Sequence, residues 1–404
     1  MGRSHTYQRL ALISAATILS LPLASPCLSA DEQRTGVTDT EVMIGSCAPT
    51  TGTLAERGNQ LKIGATTYFS YINEKGINGR KVKINFCDDH YDPEAAISCF
   101  SSCLKDKVFA GGFFVGSAPI SKYVRMGEAS RMPLFGFCTG TPLVYELHPT
   151  EFVVRAGYQD EVEKQIDELW NTHGIRKIAV IYQNDAFGAA IRENVLKNLK
   201  LFKAVPVVEA SYSRSTSEIE DAVKRVTAAN PEAVILGATS AALTAIVKKR
   251  DEEKWKSVCM AFSVDTDFLE PMGKAADGIV LTQVVPLTDS KLPTADLYNK
   301  LRKKYTPTAQ PNLTAFEAFI NAMVLCEALK RAGRDLTRDN FIKAMESLNN
   351  FDTGLGPERK LFYSSANHTG WAAKSVYFTV MKDGKMVPLN EKDMKQLVAQ
   401  AKQH

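Results

Sequence analysis

Short apolar runs alternate with amphipathic segments along most of the chain, and this alternation predicts an α/β fold. Val108–Val115 and Ala233–Gly237 are almost wholly apolar and each ends at a turn, as expected of strands buried on both faces. Between such runs, segments such as Gln60–Lys75 carry apolar residues near the helical period. Strands of this kind, alternating with helices, form parallel sheets covered on both faces.

The alternation occurs in two blocks. It runs to Arg155, restarts after that residue, and continues to Gln283, and it is followed by a long helix (Ala315–Ala332) and a hairpin around Asp383-Gly384. This order predicts two doubly wound parallel-sheet lobes joined by a multi-strand hinge. The predicted boundaries are 31–155 with 284–365 for lobe 1, and 156–283 with 366–404 for lobe 2.

The N-terminal segment has the pattern of a secretory signal peptide. Two arginines precede the apolar run Leu10–Ala24, and the small residues Ser29-Ala30 stand before Asp31. The apolar run is shorter than the roughly 20 residues that span a bilayer. The pattern predicts a cleaved signal over residues 1–30 and a periplasmic protein, with an uncleaved anchor helix as the alternative.

Composition places the chain among globular proteins. Its 49 basic and 45 acidic residues are interspersed, and 45% of the residues are hydrophobic. A nucleic-acid-binding surface requires a concentrated basic face, so this distribution favours no nucleic-acid partner. The length after signal removal is enough for two domains.

Seven of the eight cysteines follow the predicted signal peptide. An odd number leaves at least one unpaired thiol in the monomer. Three interpretations are open: buried thiols in the core, which we favour; a single disulfide; and a zinc site formed by Cys87, His90, Cys99 and Cys103.

Catalytic signatures are missing from the sequence, whereas polar residues follow several predicted strands. The chain has no HExxH, GxSxG, GxGxxG or phosphate-binding-loop motif. We therefore expect a protein that is not an enzyme and that binds no cofactor or metal. The residues after the strand ends include Ser117, Thr139, Gly140, Asp185 and Thr239. Ligands bind beyond the carboxyl ends of strands in open parallel sheets, and hydroxyls at helix N-termini suit a carboxylate. Taken singly, each of these residues can equally be a helix cap or a turn residue.

Several segments, in their order, resemble the type I periplasmic binding proteins of ABC importers, specifically the branched-chain amino acid (Leu/Ile/Val-binding) family. They include Val42–Gly52, Phe113–Ser117, Ile178–Gly188 and Glu327–Gly333. The resemblance implies a protein that captures a small-molecule ligand between two lobes and delivers it to a membrane-embedded ABC permease. We expect a monomer.

The resemblance also implies roles for individual residues. Ser117 corresponds to the serine that holds the ligand carboxylate, and Thr139 and Gly140 correspond to a loop that adds hydroxyl and backbone contacts. Gly140 stands where the family has a threonine. Phe187 stands where an aromatic residue, commonly tyrosine, covers the ligand, and Thr239 or Ser240 replaces a further aromatic residue.

The acid that pairs with a ligand ammonium in this family has no clear counterpart near Ala261–Val264, although Asp265 is close in sequence. A buried ammonium without a carboxylate partner is costly, whereas Phe187 and Phe262 favour an apolar or aromatic ligand body. We therefore expect a hydrophobic or aromatic carboxylate, with a small amino acid as the alternative. A ligand-sensing receptor of the same fold and a secreted enzyme are the alternative functions. The predicted ligand-binding residues are Ser117, Thr139, Gly140, Asp185, Phe187, Thr239 and Phe262.

Overall fold

The computed structural model describes residues 29–263, 266–371 and 376–403, with the side chains of residues 266 and 267 excepted. The predicted signal peptide, apart from its last two residues, and Asp265 lie outside the described residues. None of the helices within these ranges combines the length and the apolar character needed to cross a membrane.

Strands and helices alternate through the described residues. The strands are β1 (Glu41–Ala48), β2 (Lys81–Asp88), β3 (Ala110–Val115), β4 (Leu134–Cys138), β5 (Glu151–Phe152), β6 (Ile178–Gln183), β7 (Val208–Tyr212), β8 (Ala233–Gly237), β9 (Val258–Ala261), β10 (Ile279–Gln283), β11 (Asn349–Asp352), β12 (Lys360–Phe362), β13 (Tyr377–Lys382) and β14 (Lys385–Pro388). The helices are α1 (Ala30–Gln33), α2 (Ala55–Asn73), α3 (Pro93–Lys105), α4 (Ser117–Ala129), α5 (Tyr158–Asp167), α6 (Ala186–Leu201), α7 (Glu220–Ala229), α8 (Ser240–Glu252), α9 (Thr266–Leu269), α10 (Pro293–Tyr305), α11 (Leu313–Ala332), α12 (Arg338–Glu346) and α13 (Glu391–Ala401).

Two main sheets form the centres of the two lobes, which confirms the predicted fold class. The first has five parallel strands in the order β2-β1-β3-β4-β5. The second has the order β14-β13-β10-β9-β8-β6-β7, with β6 to β10 parallel. Its last two strands, β13 and β14, are antiparallel. They form a hairpin because Asp383 and Gly384 both adopt positive φ, 51° and 70°, as a tight two-residue turn requires.

The helices that follow β10 return to the first sheet. Helices α10 and α11 pack against α2, and α12 packs against α11, so lobe 1 is completed by a late part of the chain. The chain passes between the lobes after β5, after β10, and again between β12 and β13. The residue boundaries given above for the lobes follow this order and stay predictions.

Local sequence signals account for several element ends. The Asp92 carboxylate accepts the N–H groups of Glu94 and Ala95 at 3.0 and 2.9 Å, and Pro93 opens α3, as the sequence predicts. Helix α2 begins at Ala55, five residues before the predicted Gln60. Helix α10 was not predicted, because its buried side is formed by few apolar residues interrupted by polar ones.

One disulfide joins Cys87 on β2 to Cys99 on α3. The zinc interpretation of this region is therefore wrong, since two of its four ligands are bonded to each other. The favoured interpretation, in which all the cysteines are buried thiols, is also wrong for this pair. Five other cysteines in the described part of the chain are buried free thiols: Cys47, Cys103, Cys138, Cys259 and Cys326.

Candidate functional site

A cavity lies between the lobes, where β3 and β4 of lobe 1 and β8 and β9 of lobe 2 end. In both sheets the strand order reverses near these ends, which is where open α/β sheets bind ligands. The lining residues before the first crossing are Leu54, Arg57, Tyr91, Val115, Gly116, Ser117 and Cys138. Those after it are Tyr158, Phe187, Ala238, Thr239, Ser240, Phe262 and Ser263.

Two buried hydroxyls meet at the lobe 1 wall. The side-chain oxygens of Ser117 and Thr139 are 2.8 Å apart and hydrogen-bonded, and both residues are fully buried. The Thr139 hydroxyl also accepts the backbone N–H of Thr141 at 3.2 Å. Thr139 therefore holds Ser117, which is the member of the pair that lines the cavity.

Two helix N-termini face the cavity from opposite lobes. Helix α4 begins at Ser117 after Gly116, and α8 begins at Ser240 after Thr239. Within the described contacts, neither preceding residue caps its helix through a side chain. The N–H groups and positive dipole ends of such helices favour an anion.

Gly116 occupies a position that excludes other residues. Its φ is 88°, and a Cβ atom there would lie 2.4 Å from Cε2 of Tyr91. The glycine thus lets the Tyr91 ring pack at the start of α4, so that both residues line the same wall.

A hydrogen-bond network around Gln183 joins the two lobes. The Gln183 amide nitrogen donates to Asp185 at 2.7 Å and to the Tyr91 hydroxyl of lobe 1 at 3.2 Å. Its carbonyl oxygen accepts from Tyr212 at 3.3 Å and from Thr239 at 3.1 Å. These bonds hold the Thr239 hydroxyl within the protein network.

Asp185 caps α6 and does not line the cavity. Its carboxylate accepts the N–H groups of Phe187 and Gly188 at 2.9 and 3.3 Å, which caps the helix. Burial raises the pKa of this carboxyl, although the hydrogen bonds from Gln183 and from the helix oppose the shift. Because Asp185 positions Phe187, its effect on the cavity is indirect.

Three aromatic rings of lobe 2 line the cavity. Tyr158 packs edge-to-face against Phe187 and Phe262, with ring centroids 5.4 and 5.9 Å apart. The Tyr158 N–H donates to the Gly140 carbonyl at 2.8 Å, and a Cβ at position 140 would lie 2.5 Å from that nitrogen. Gly140 is therefore needed for the close approach of Tyr158.

Arginine side chains occur at the cavity and directly behind it. Arg57, from α2, lines the cavity and donates from Nη1 to the Ser263 carbonyl at 3.0 Å. Arg155, in the first crossing, donates from Nη2 to the Ser263 hydroxyl at 3.0 Å and from Nη1 to the Glu317 carboxylate at 3.2 and 3.3 Å. The same Arg155 lies 3.5 Å from Glu161.

The predicted site residues fall into three groups: residues that line the cavity, a residue behind the lining, and residues that position lining side chains. Those that line the cavity are Ser117, Phe187, Thr239 and Phe262. Thr139 lies behind Ser117, and Gly140 and Asp185 position Tyr158 and Phe187. Their contact with a ligand stays a prediction.

The predicted set missed five polar or aromatic lining residues: Arg57, Tyr91, Tyr158, Ser240 and Ser263. Arg57 lies within the first turns of a helix and Tyr91 lies in a turn with φ of 60°. Tyr158 opens α5 after Gly157, and a start of α5 placed at that glycine would have indicated it.

Two doubly wound lobes with a cavity between them define a two-lobed ligand-binding protein. A family model described as "Periplasmic binding protein" matches residues 41–385. The chain therefore belongs to the periplasmic binding proteins, and to the branched-chain amino acid family among them, which confirms the resemblance found in the sequence.

Three relatives illustrate the similarity. The chain is 24% identical over 358 residues to "Leu/Ile/Val-binding protein homolog 3" of Brucella melitensis, covering 86% of this chain and 94% of the relative. A possible leucine/isoleucine/valine-binding protein from Rhodopirellula baltica superposes with a TM-score of 0.82 at 24% identity, covering 88% of this chain and 98% of that chain. A fatty acid ABC transporter substrate-binding protein from Thermomonospora curvata gives a TM-score of 0.80 at 19% identity, with coverage of 89% and 94%.

Membership of this family sets the general function. The family consists of substrate-binding proteins, so the chain binds a small-molecule ligand and is not an enzyme. Membership also indicates a periplasmic location.

Proposed function

We propose that this protein is the substrate-binding component of an ABC importer and that it captures a small hydrophobic or aromatic carboxylate. The predicted signal peptide would direct it to the periplasm, where it would deliver the ligand to a membrane-embedded permease. Relatives named as Leu/Ile/Val-binding proteins support the role in capture. The structural relative named for fatty acids supports the use of this fold for an aliphatic acid.

The chemistry of the cavity wall carries this proposal. The cavity is lined by the rings of Tyr158, Phe187 and Phe262, by the Arg57 guanidinium and by one helix N-terminus from each lobe, and none of the described lining residues is acidic. A carboxylate is favoured beside these positive groups, and the rings favour an apolar body. An ammonium group would be buried there without a described carboxylate partner, which is costly.

The arrangement also supports capture by closure. Lobe 1 would bind the carboxylate at Ser117 and Arg57, and lobe 2 would then cover the ligand with Phe187 and Phe262. Hydrogen bonds join the lobes around the cavity, among them those from Gln183 to Tyr91 and from Arg57 to Ser263. Helices α4 and α6, from opposite lobes, are in contact. A closed form of this kind would dock on the permease.

Two matched pairs of ligands test the ligand class. Each pair differs only by the ammonium group: 3-phenylpropanoate with phenylalanine, and 4-methylpentanoate with leucine. We expect calorimetric titration to show that the acids without an ammonium bind at least about 100-fold more tightly, because burying an unpaired charge costs several kcal/mol. Equal or tighter binding of leucine or phenylalanine would contradict the proposed class in favour of an amino acid. Native mass spectrometry of protein purified from its host would identify the carried ligand directly.

A further inference from the structure

A buried cluster of charged side chains lies directly behind the cavity wall. Arg155 is 97% buried and contacts Glu317 of α11, in lobe 1, and Glu161 of α5, in lobe 2. Glu161 is fully buried as well. The cluster thus connects both lobes at the first chain crossing.

Ser263 connects the cluster to the cavity. Ser263 accepts a hydrogen bond from Arg57 on its carbonyl oxygen and from Arg155 on its hydroxyl, each at 3.0 Å. Arg57 and Ser263 both line the cavity. A charge placed in the cavity beside Ser263 is therefore close to Arg155, which lies 3.5 Å from Glu161, and burial of both residues weakens the screening of charges between them.

We propose that the binding of an anionic ligand is coupled to the uptake of a proton by Glu161. The inference rests on the proposed function, since it requires a ligand that brings a negative charge. When Glu161 is ionised, Arg57, Arg155, Glu161 and Glu317 carry two positive and two negative charges. A bound carboxylate adds a further negative charge to this buried region, and protonation of Glu161 removes one.

The surroundings of Glu161 suit such a proton. Its Oε2 accepts a hydrogen bond from the Thr282 hydroxyl at 2.7 Å, while Oε1 has no hydrogen-bond partner among the described residues and can carry a hydrogen. Within the described ranges, the charged groups that face Glu161 are Arg155, Glu317 and Arg57, and the titratable Tyr145 and Tyr158 also interact with it. Arg155 stands 3.5 Å away, beyond hydrogen-bonding distance, so the ionised form is only partly compensated.

The pKa of Glu161 and the negative charge of the ligand together determine how the affinity changes with pH. Burial raises this pKa to about 7, against the opposing effects of Arg155 and Thr282. A ligand anion raises it further, so the carboxyl gains a proton on binding near neutral pH. The affinity for an anion therefore increases as the pH falls through 7, while the ligand carboxyl, with a pKa near that of Glu or Asp, stays ionised.

Calorimetric titration of 3-phenylpropanoate at neutral pH, in phosphate and in Tris, measures the number of protons bound with the ligand. We expect uptake of about half a proton, because about half of the Glu161 carboxyls are ionised when the pH equals the pKa. Between about pH 8 and about pH 6, the affinity should rise by up to about tenfold. Glu161→Gln should abolish both the uptake and the pH dependence.

Glu151→Gln is the matched control. Burial also raises the pKa of Glu151, to about 8. In the described structure, however, Glu151 does not line the cavity and forms no ion pair with the cluster around Arg155. We expect this variant to keep the proton uptake. Thr282→Val is a second probe, which retains the Glu161 carboxyl and removes the hydroxyl that favours its ionised form. It should shift the pH of half-maximal uptake upward.

The outcomes separate the two proposals. Binding of 3-phenylpropanoate without proton uptake, or with the same uptake in Glu161→Gln, would overturn the coupling and leave the ligand class intact. If neither 3-phenylpropanoate nor 4-methylpentanoate binds, the ligand class fails and the coupling fails with it. Should Glu161→Gln not fold, an unchanged uptake profile in Thr282→Val would overturn the coupling.

Discussion

The two lobes contribute different chemistry to the same cavity. Lobe 1 contributes Arg57 and the Ser117 hydroxyl, whereas lobe 2 contributes the rings of Tyr158, Phe187 and Phe262. Each lobe also contributes one helix N-terminus, that of α4 or that of α8. Lobe 2 also has polar groups at its strand ends, but Gln183 and Thr239 are hydrogen-bonded to each other.

This difference has a physical explanation. The polar residues of lobe 2 satisfy one another and the Tyr91 hydroxyl, so that they stabilise the contact between the lobes. In lobe 1, Ser117 and Arg57 combine hydrogen bonds within the protein with a position in the cavity lining. We infer that lobe 1 recognises the charge of the ligand and lobe 2 its shape. Substitutions on each side can separate these contributions.

Arg57→Ala should have the largest effect, because it removes the described cation from the cavity wall. Loss of a buried charge contact costs about 2–4 kcal/mol, which corresponds to a loss of about 30- to 1,000-fold in affinity for 3-phenylpropanoate. Titration calorimetry measures the change. Arg57→Lys should restore part of the affinity, since it keeps the charge but loses the planar guanidinium.

Lys62→Ala is the control for Arg57→Ala. It removes a cation from the same helix, where Lys62 lies over the Phe86 ring and away from the cavity. Its affinity should match that of the unsubstituted protein. A loss of less than about threefold in Arg57→Ala would place the recognition of charge elsewhere than on this arginine.

Phe187→Ala tests the lobe 2 side. Removing a buried ring that covers the ligand costs about 1.5–3 kcal/mol, or about 10- to 150-fold in affinity for 3-phenylpropanoate. The loss should be smaller for 4-methylpentanoate, which has no ring to pack edge-to-face. Competition titrations with both acids give the ratio.

Phe202→Ala offers the matched control, because Phe202 stands at the far end of the same helix and stacks on Trp170. It should leave both affinities unchanged. Equal losses for the two acids in Phe187→Ala would show that lobe 2 supplies apolar area without selecting ring-bearing ligands.

The sequence predicted the fold class and the strand ends better than it predicted the cavity wall. Buried strands such as β8 have a strong apolar signal, and the structure places β8 at the predicted residues Ala233–Gly237. Ser117 and Thr239 were predicted as site residues because they are polar residues in the turns that follow these strands. These signals are local, so they can be read from the sequence.

The remaining features depend on contacts between distant parts of the chain. Arg57 and Ser263 are separated by 206 positions, and Arg155 and Glu317 by 162, so neither pair has a local pattern. For the cysteines, a single disulfide was one of three open interpretations, and the Cys87–Cys99 pairing depends on the packing of α3 against β2. Gly140 was placed in the site because it follows a strand, whereas its lack of a side chain serves the approach of Tyr158.

Ser117→Ala should have the smallest effect of the three substitutions. Removing one neutral hydroxyl costs about 0.5–1.5 kcal/mol, or about 2- to 10-fold in affinity for 3-phenylpropanoate, and the helix N-terminus remains in place. The Thr139 hydroxyl loses its partner but still accepts the Thr141 N–H, so the local structure should persist.

Ser121→Ala, a turn further along α4, is the matched control, since the Ser121 hydroxyl donates to the Ala118 carbonyl and lies away from the cavity. If Ser117→Ala weakens binding as much as Arg57→Ala does, the hydroxyl pair and not the guanidinium is the main contact for the carboxylate. If it has no effect while Phe187→Ala does, the division of roles between the two lobes is wrong.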